Sequence, residues 1–367
     1  MSKYTKLLSV AGLACLPGMA FADAPTIGSM LEASGIAVSG YTSASYSANL
    51  NKGKTLGFRA YDANSDTFTI DQASITAAYA PESGFGATVN FLAGEDSNVI
   101  NANYGDGNSI FSLPTAYVSY ANSGLTIIAG RFGSLAGYEV TADNLAPFIS
   151  RSWLFQNTQP FFHTGLRASY KFNDFFTAQL GAVNSAPQAS TIDANKQKTL
   201  EANLTITPVK SLLVSLTNYL GVDEFDGVVA FPINGPGTGA FTTRTNISDV
   251  VVQWVAAEKL TLALNGDVAD FKGLYTARGV AIYALLQATD LIGFRARVEL
   301  AEVANKGAGA VTDSFKIYTG EVVLSPSKNF DLLAEVRYDT SNNDVIPNGA
   351  TPKDTGGNVA IKGIFKF

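Results

Sequence analysis

The 367-residue chain is poor in the residues on which most chemistry depends. It has one histidine, one cysteine and only 15% charged residues, where soluble domains carry about a quarter. A single imidazole cannot build a histidine metal centre, and no Cys or Asp/Glu spacing replaces it, so neither a metal nor another cofactor is expected. With Cys15 alone there is no intrachain disulfide, and stability must come from strand pairing and burial. Long apolar runs are missing too. Past residue 22 no stretch approaches the roughly 18 uncharged apolar residues of a spanning helix, although 46% of the residues are hydrophobic. A net charge of −6 argues against a nucleic-acid partner.

What is present begins with a leader. Lys3 and Lys6 precede an apolar stretch, Leu7 to Met19, and Ala20-Phe21-Ala22 forms a small-residue cleavage site, so residues 1–22 are expected to be a secretory signal peptide. Residues 23–367 are then expected to be a single domain.

Strand-like segments recur through that domain at 34–49, 66–80, 84–95, 111–121, 124–133, 161–172, 174–184, 197–207, 210–222, 242–256, 259–270, 275–289, 290–304, 312–325, 329–339 and 356–367. Short turns such as Asn122-Ser123-Gly124 alternate with long polar loops such as 50–65, 96–110, 134–160, 222–241 and 340–355. Within strands, apolar and polar residues alternate. Val359, Ile361, Gly363, Phe365 and Phe367 oppose Ala360, Lys362, Ile364 and Lys366; Phe294, Ala296, Val298 and Leu300 oppose Arg295, Arg297 and Glu299. A soluble β-sandwich alternates in the same way. The number of strands, the leader and the final Phe favour an all-β, transmembrane antiparallel barrel of about 16 strands, with short periplasmic turns and long external loops. Segments 66–80 and 312–325 break the pattern: Asp71 and Gln72 are adjacent, and Glu321 shares a face with Ile317. A bulge or a buried polar pair would each account for that.

The most distinctive stretch is 124–184, with Ala129-Gly130-Arg131-Phe132-Gly133, Gly137-Tyr138-Glu139-Val140, Ser150-Arg151-Ser152-Trp153-Leu154-Phe155, His163-Thr164-Gly165-Leu166-Arg167 and Ala182-Val183-Asn184. It resembles the OmpL-like outer-membrane β-barrel porin family, departing from it at Ser185-Ala186-Pro187. The resemblance implies a water-filled pore in a Gram-negative outer membrane, passing small hydrophilic solutes or ions by diffusion, and no enzyme activity. The partners implied are outer-membrane lipids and lipopolysaccharide, the barrel-assembly machinery through Phe367, and a homotrimer by analogy with porins of this size. A plugged barrel serving as an adhesin or structural protein stays open as an alternative, as more remotely does a hydrolase using His163.

The 134–160 loop mixes Glu139, Asp143 and Arg151 with Phe148, Trp153, Leu154 and Phe155, and burying each large apolar group would contribute about 1.5–3 kcal/mol. It is expected either to fold into the barrel and narrow the pore or to pack externally on other loops or another subunit. Pore-lining or constriction candidates are Arg131, Glu139, Arg151, Arg167, Arg295, Arg297, Glu299, Glu335 and Arg337. Arg131, Arg167, Lys171, Arg278, Arg295, Arg297, Arg337, Lys362 and Lys366 outnumber the acids assigned inward, Asp71, Glu201, Asp267, Glu299, Glu335 and Asp339. A weakly basic lumen is one expectation, and a balanced, poorly selective pore is the other. Trp153 and Trp254 are expected in interfacial aromatic girdles.

Overall fold

Strand alternation dictates the architecture. In the computed structural model, which describes residues 34–104, 109–186, 193, 195–225, 241–306 and 310–367, the strands close into one antiparallel barrel with each strand beside its sequence neighbours. They are β1 (Ala37–Asn49), β2 (Thr67–Tyr79), β3 (Gly84–Ala93), β4 (Phe111–Asn122), β5 (Leu125–Gly133), β6 (Phe162–Lys171), β7 (Phe176–Val183), β8 (Thr199–Val209), β9 (Leu212–Phe225), β10 (Phe241–Ala257), β11 (Leu260–Phe271), β12 (Tyr275–Gln287), β13 (Ile292–Asn305), β14 (Thr312–Ser327), β15 (Phe330–Ser341) and β16 (Thr355–Lys366). Among the described residues two short helices, α1 (Asp96–Tyr104) and α2 (Trp153–Asn157), lie in loops. The expected leader, residues 1–22, lies outside the described residues.

Closure between β1 and β16 runs from Tyr41 opposite Lys366 to Asn49 opposite Asn358, leaving no free sheet edge. One end of the barrel carries only tight turns. Between β4 and β5 both central residues have positive φ, Ser123 at 46° and Gly124 at 88°, the two-residue hairpin that matches strand twist. The other end carries the long loops, apart from the shorter connections 272–274 between β11 and β12 and 306–311 between β13 and β14.

Alternation sorts the side chains as the pleat requires. Phe68, Phe91, Leu180, Ile282, Ile361 and Phe365 stand exposed on the outer wall, and Ala360, Lys362 and Ile364 are buried inside. At the tight-turn end the outward residues include Tyr79, Phe85, Tyr170, Phe172 and Trp254, all exposed, an aromatic ring of the kind that marks a membrane interface. Trp153 departs from that expectation: it is fully buried in the lumen.

The two breaks in alternation have different causes. A register shift between Ser43 and Ala44 puts a bulge at Asp71 and Gln72, so both side chains turn inward and are buried. In β14 the register is regular from Phe315 to Leu324, with Glu321 between Arg295 and Glu335. Phe315 and Ile317 share the inward face because loop residues Phe58, Phe148, Trp153 and Leu154 enter the barrel and pack there.

Candidate pore constriction

The connection between β5 and β6, residues 134–161, runs inside the barrel. Gly137 (φ 95°) turns it into the lumen in the left-handed region that favours glycine, and a Cβ there would displace the Gln159 carboxamide. Arg151 organises the stretch from within. Its Nε donates to Val140 O at 2.8 Å, its Nη2 to Thr141 O and Asp143 Oδ1 at 2.8 and 2.9 Å, and its Nη1 to the carbonyls of Phe148 and Ile149 at 3.1 Å.

Wall and loop are stitched by charge-assisted bonds. Three wall carboxylates accept loop amides: Glu321 from Ile149 N at 2.9 Å, Glu335 from Ser150 N at 3.1 Å and Glu299 from Trp153 N at 2.6 Å. Three wall arginines donate to loop carbonyls: Arg295 to Pro147 at 2.6 Å, Arg297 to Ser150 at 2.8 Å and Arg337 to Arg151 at 2.8 Å. Arg297 also pairs with Glu139 at 2.7 Å and Glu299 at 2.8 Å. Arg295 pairs with Glu321 and Arg337 with Asp339, so these buried charges are both paired and hydrogen-bonded, the condition for tolerating them in a low-dielectric site, whereas Glu335 is held by the Ser150 amide. On α2, Ser152 caps the helix by accepting Phe155 N at 3.0 Å.

Small wall residues make room for the apolar part. Ala277, Gly279 and Ala281 face inward on β12, and a Cβ on Gly279 would come within 2.8 Å of Leu154 Cδ2. The first loop follows the inward one into the lumen: Phe58 stacks edge-on against Phe315 with ring centroids 4.7 Å apart, and Tyr61 OH lies 3.2 Å from Thr141 Oγ1.

The far end of the loop is fixed by Asp143, which meets Lys362 Nζ at 2.8 Å and Ser43 Oγ at 2.6 Å. Burial alone would raise its carboxyl. The charges of Lys362 and Arg151 outweigh that and hold it at about 2. Asp96, at the start of α1, accepts from Gln72 Nε2 at 2.7 Å. Burial, reinforced by the negative charge of Asp143, pushes its carboxyl well above the usual range.

Most of the sequence candidates meet at this loop, but their charges are spent on docking it. Glu139, Arg151, Arg297, Glu299, Glu335 and Arg337 are all buried, and only Arg295 keeps appreciable exposure, with 24% of its side chain accessible. Arg167 lies at the loop's base, paired with Glu201 at 2.6 Å, donating to Gly133 O at 3.1 Å and stacked 4.3 Å over the Phe132 ring. Arg131 is a correction. It pairs with Ala116 and Thr164 on the face opposite Phe132 and Arg167, so it points out of the barrel, with Nη1 donating to Leu113 O at 3.1 Å. Its charge had suggested the lumen, but the neighbouring Phe132 takes the inward face.

Arg278 is a second correction: it stands on the outer wall beside Val280 and Ile282, paired with Glu302 at 2.8 Å. Removing both from the lumen, and adding the inward acids Asp223, Asp249, Asp313, Glu321 and Asp331, reverses the expected basic excess on the inward strand faces. Sequence reasoning also passed over Asp143 with Lys362 as a pair, and Gln72, although the break at Asp71-Gln72 had marked the place. His163 is buried, its Nδ1 3.1 Å from Ser185 O and its ring 4.8 Å from that of Tyr219.

A family model described as "Putative beta-barrel porin-2, OmpL-like" matches residues 35–367. No curated protein matches the sequence. Among solved structures, OprB of Pseudomonas putida superposes with a TM-score of 0.62 at 14% identity, covering 92% of this chain and 96% of that one. The anion-selective porin of Comamonas acidovorans gives 0.59 at 11% identity, covering 90% and 99%. The trimer form of OmpT of Vibrio cholerae gives 0.59 at 12% identity, covering 90% and 99%. At these identities the likeness is one of fold.

Proposed function

The chain belongs to the OmpL-like β-barrel porin-2 family and is an outer-membrane channel, and from that premise we propose that its 134–161 loop is the constriction through which small hydrophilic solutes diffuse. The observation that carries this reading is the docking of the loop on the inner wall by Glu299, Glu321 and Glu335 on one side and Arg295, Arg297 and Arg337 on the other. A loop held by that many buried contacts is a fixed partition rather than a swinging lid. The channel is non-enzymatic in this reading, and His163, enclosed between Ser185 and Tyr219, serves as a packing residue.

The exposed apolar outer wall supports contact with lipid, and Phe367, exposed and bonded through its backbone to Gly40, is the group offered to the assembly machinery. The low wall formed by the short strands β3, β5 and β7 supports a homotrimer in which that side of the barrel is covered by a second copy. Single-channel recording in planar bilayers tests the constriction. Removing residues 138–156 should raise conductance several-fold while the barrel still folds; unchanged conductance from a folded barrel would contradict it.

A further inference from the structure

Beside the inward loop the lumen keeps a cavity of about 470 Å³. It reaches from Ser39, Thr76 and Thr88, close to the tight-turn end, up to Ser134, Thr141 and Phe155 of the loop. Its polar lining is almost wholly hydroxyl and amide, with Tyr41, Ser74, Thr115, Asn90 and Asn144 completing the set. Among the described residues only two charged side chains touch it, and each has a counter-charge: Glu139 holds Arg297 at 2.7 Å and Lys366 holds Asp331 at 2.6 Å. Arg297 and Glu299 of β13 and Glu335, Arg337 and Asp339 of β15 are buried on the inward face of the wall where the loop docks. The loop therefore does two things at once, narrowing the lumen and screening its charged wall from the remaining space.

We propose that this cavity is the solute path and that it favours uncharged, hydroxyl-bearing solutes, polyols and saccharides, over ions of similar size. The proposal rests on the channel reading and names its substrate class. Hydroxyls and amides both donate and accept, so they can replace the water around a polyol group by group, whichever way the solute turns. An ion entering the same space sheds part of its hydration shell and meets in return only Glu139 and Lys366, each already satisfied by a counter-charge. Pro114, Leu135 and Phe161 add apolar surface along the path, suited to the C–H faces of a sugar ring.

The test uses the full-length protein in liposomes and planar bilayers, with glucose, gluconate and glucosamine as size-matched neutral, anionic and cationic probes. Swelling with glucose should exceed that with either charged probe about tenfold, a difference of about 1.4 kcal/mol in barrier, and the reversal potential in a KCl gradient should lie near zero. Thr115→Trp should cut glucose flux about fivefold by filling the cavity, and Thr88→Asp should turn the channel cation-selective by about fivefold in the potassium-to-chloride ratio. Heat-modifiable mobility verifies that each variant folds, and the small Thr88→Asp change keeps the test available if the tryptophan disturbs the barrel. Equal or faster passage of a charged probe, or flux and selectivity indifferent to both substitutions, would overturn the assignment. Wild-type protein that neither conducts nor swells liposomes would overturn the channel reading beneath it.

Discussion

Arg297→Met offers the most direct probe of how the loop is held. The guanidinium is 1% exposed and simultaneously serves Glu139 Oε1 at 2.7 Å, Glu299 Oε1 at 2.8 Å, Ser150 O at 2.8 Å and Ser150 Oγ at 3.1 Å, while lying 4.8 Å over the Phe148 ring. Methionine preserves much of the volume but strands two buried carboxylates, and losing one partner of a buried ion pair costs about 3–5 kcal/mol. The apolar anchors Phe148, Trp153, Leu154 and Phe155 contribute about 1.5–3 kcal/mol each and remain, so the loop should stay inside while its opening becomes about a thousandfold more frequent. Hydrogen exchange in detergent micelles or nanodiscs reads this at the amides of Ser150 and Trp153, which donate to Glu335 and Glu299. Their protection should fall by about three orders of magnitude, with the amides of β3 unaffected. The triple variant Arg297→Met, Glu139→Gln, Glu299→Gln should recover most of it, because the stranded charges are gone. Unchanged protection in the single variant would show that the pairings do not hold the loop and would refute the docking argument.

Acid should loosen the other end of the same loop. The Asp143 carboxyl lies at about 2, against an ordinary 3.8, so its stabilisation is complete above about pH 4 and is lost as pH falls toward 2, a change of about 2 kcal/mol. Asp96, shifted upward, acts in the opposite sense. Asp143→Asn should therefore flatten the fall in loop protection below pH 4, and an acid dependence unaltered by that variant would count against the assignment. Gly137→Ala forces a Cβ onto Gln159 at positive φ and should cost about 1–3 kcal/mol of loop docking, visible as flickering in single-channel records. Arg131→Leu should leave conductance and ion selectivity unchanged, because the side chain points out of the barrel; a shift in reversal potential would place it in the pore.

The strand faces were legible because period-two alternation is local. Val359, Ile361 and Phe365 against Ala360, Lys362 and Ile364 can be sorted by counting, and the pleat then decides inside and outside with no further information. Charge was a misleading mark at Arg131, whose neighbour Phe132 takes the inward face, whereas the break in alternation at Asp71 and Gln72 marked a real bulge. The loop's apolar residues also showed that it needed cover. What supplied the cover was a tertiary matter. Glu139 meets Arg297 across 158 positions and Asp143 meets Lys362 across 219. No local pattern specifies partners at that range, because they become neighbours only once the barrel has closed around the loop. The same closure decided the electrostatics. Inward-facing charges such as Arg297, Glu299 and Lys362 are, in three dimensions, paired against the loop, and the cavity beside it is lined by hydroxyls and amides together with apolar groups of the loop such as Leu135 and Phe155.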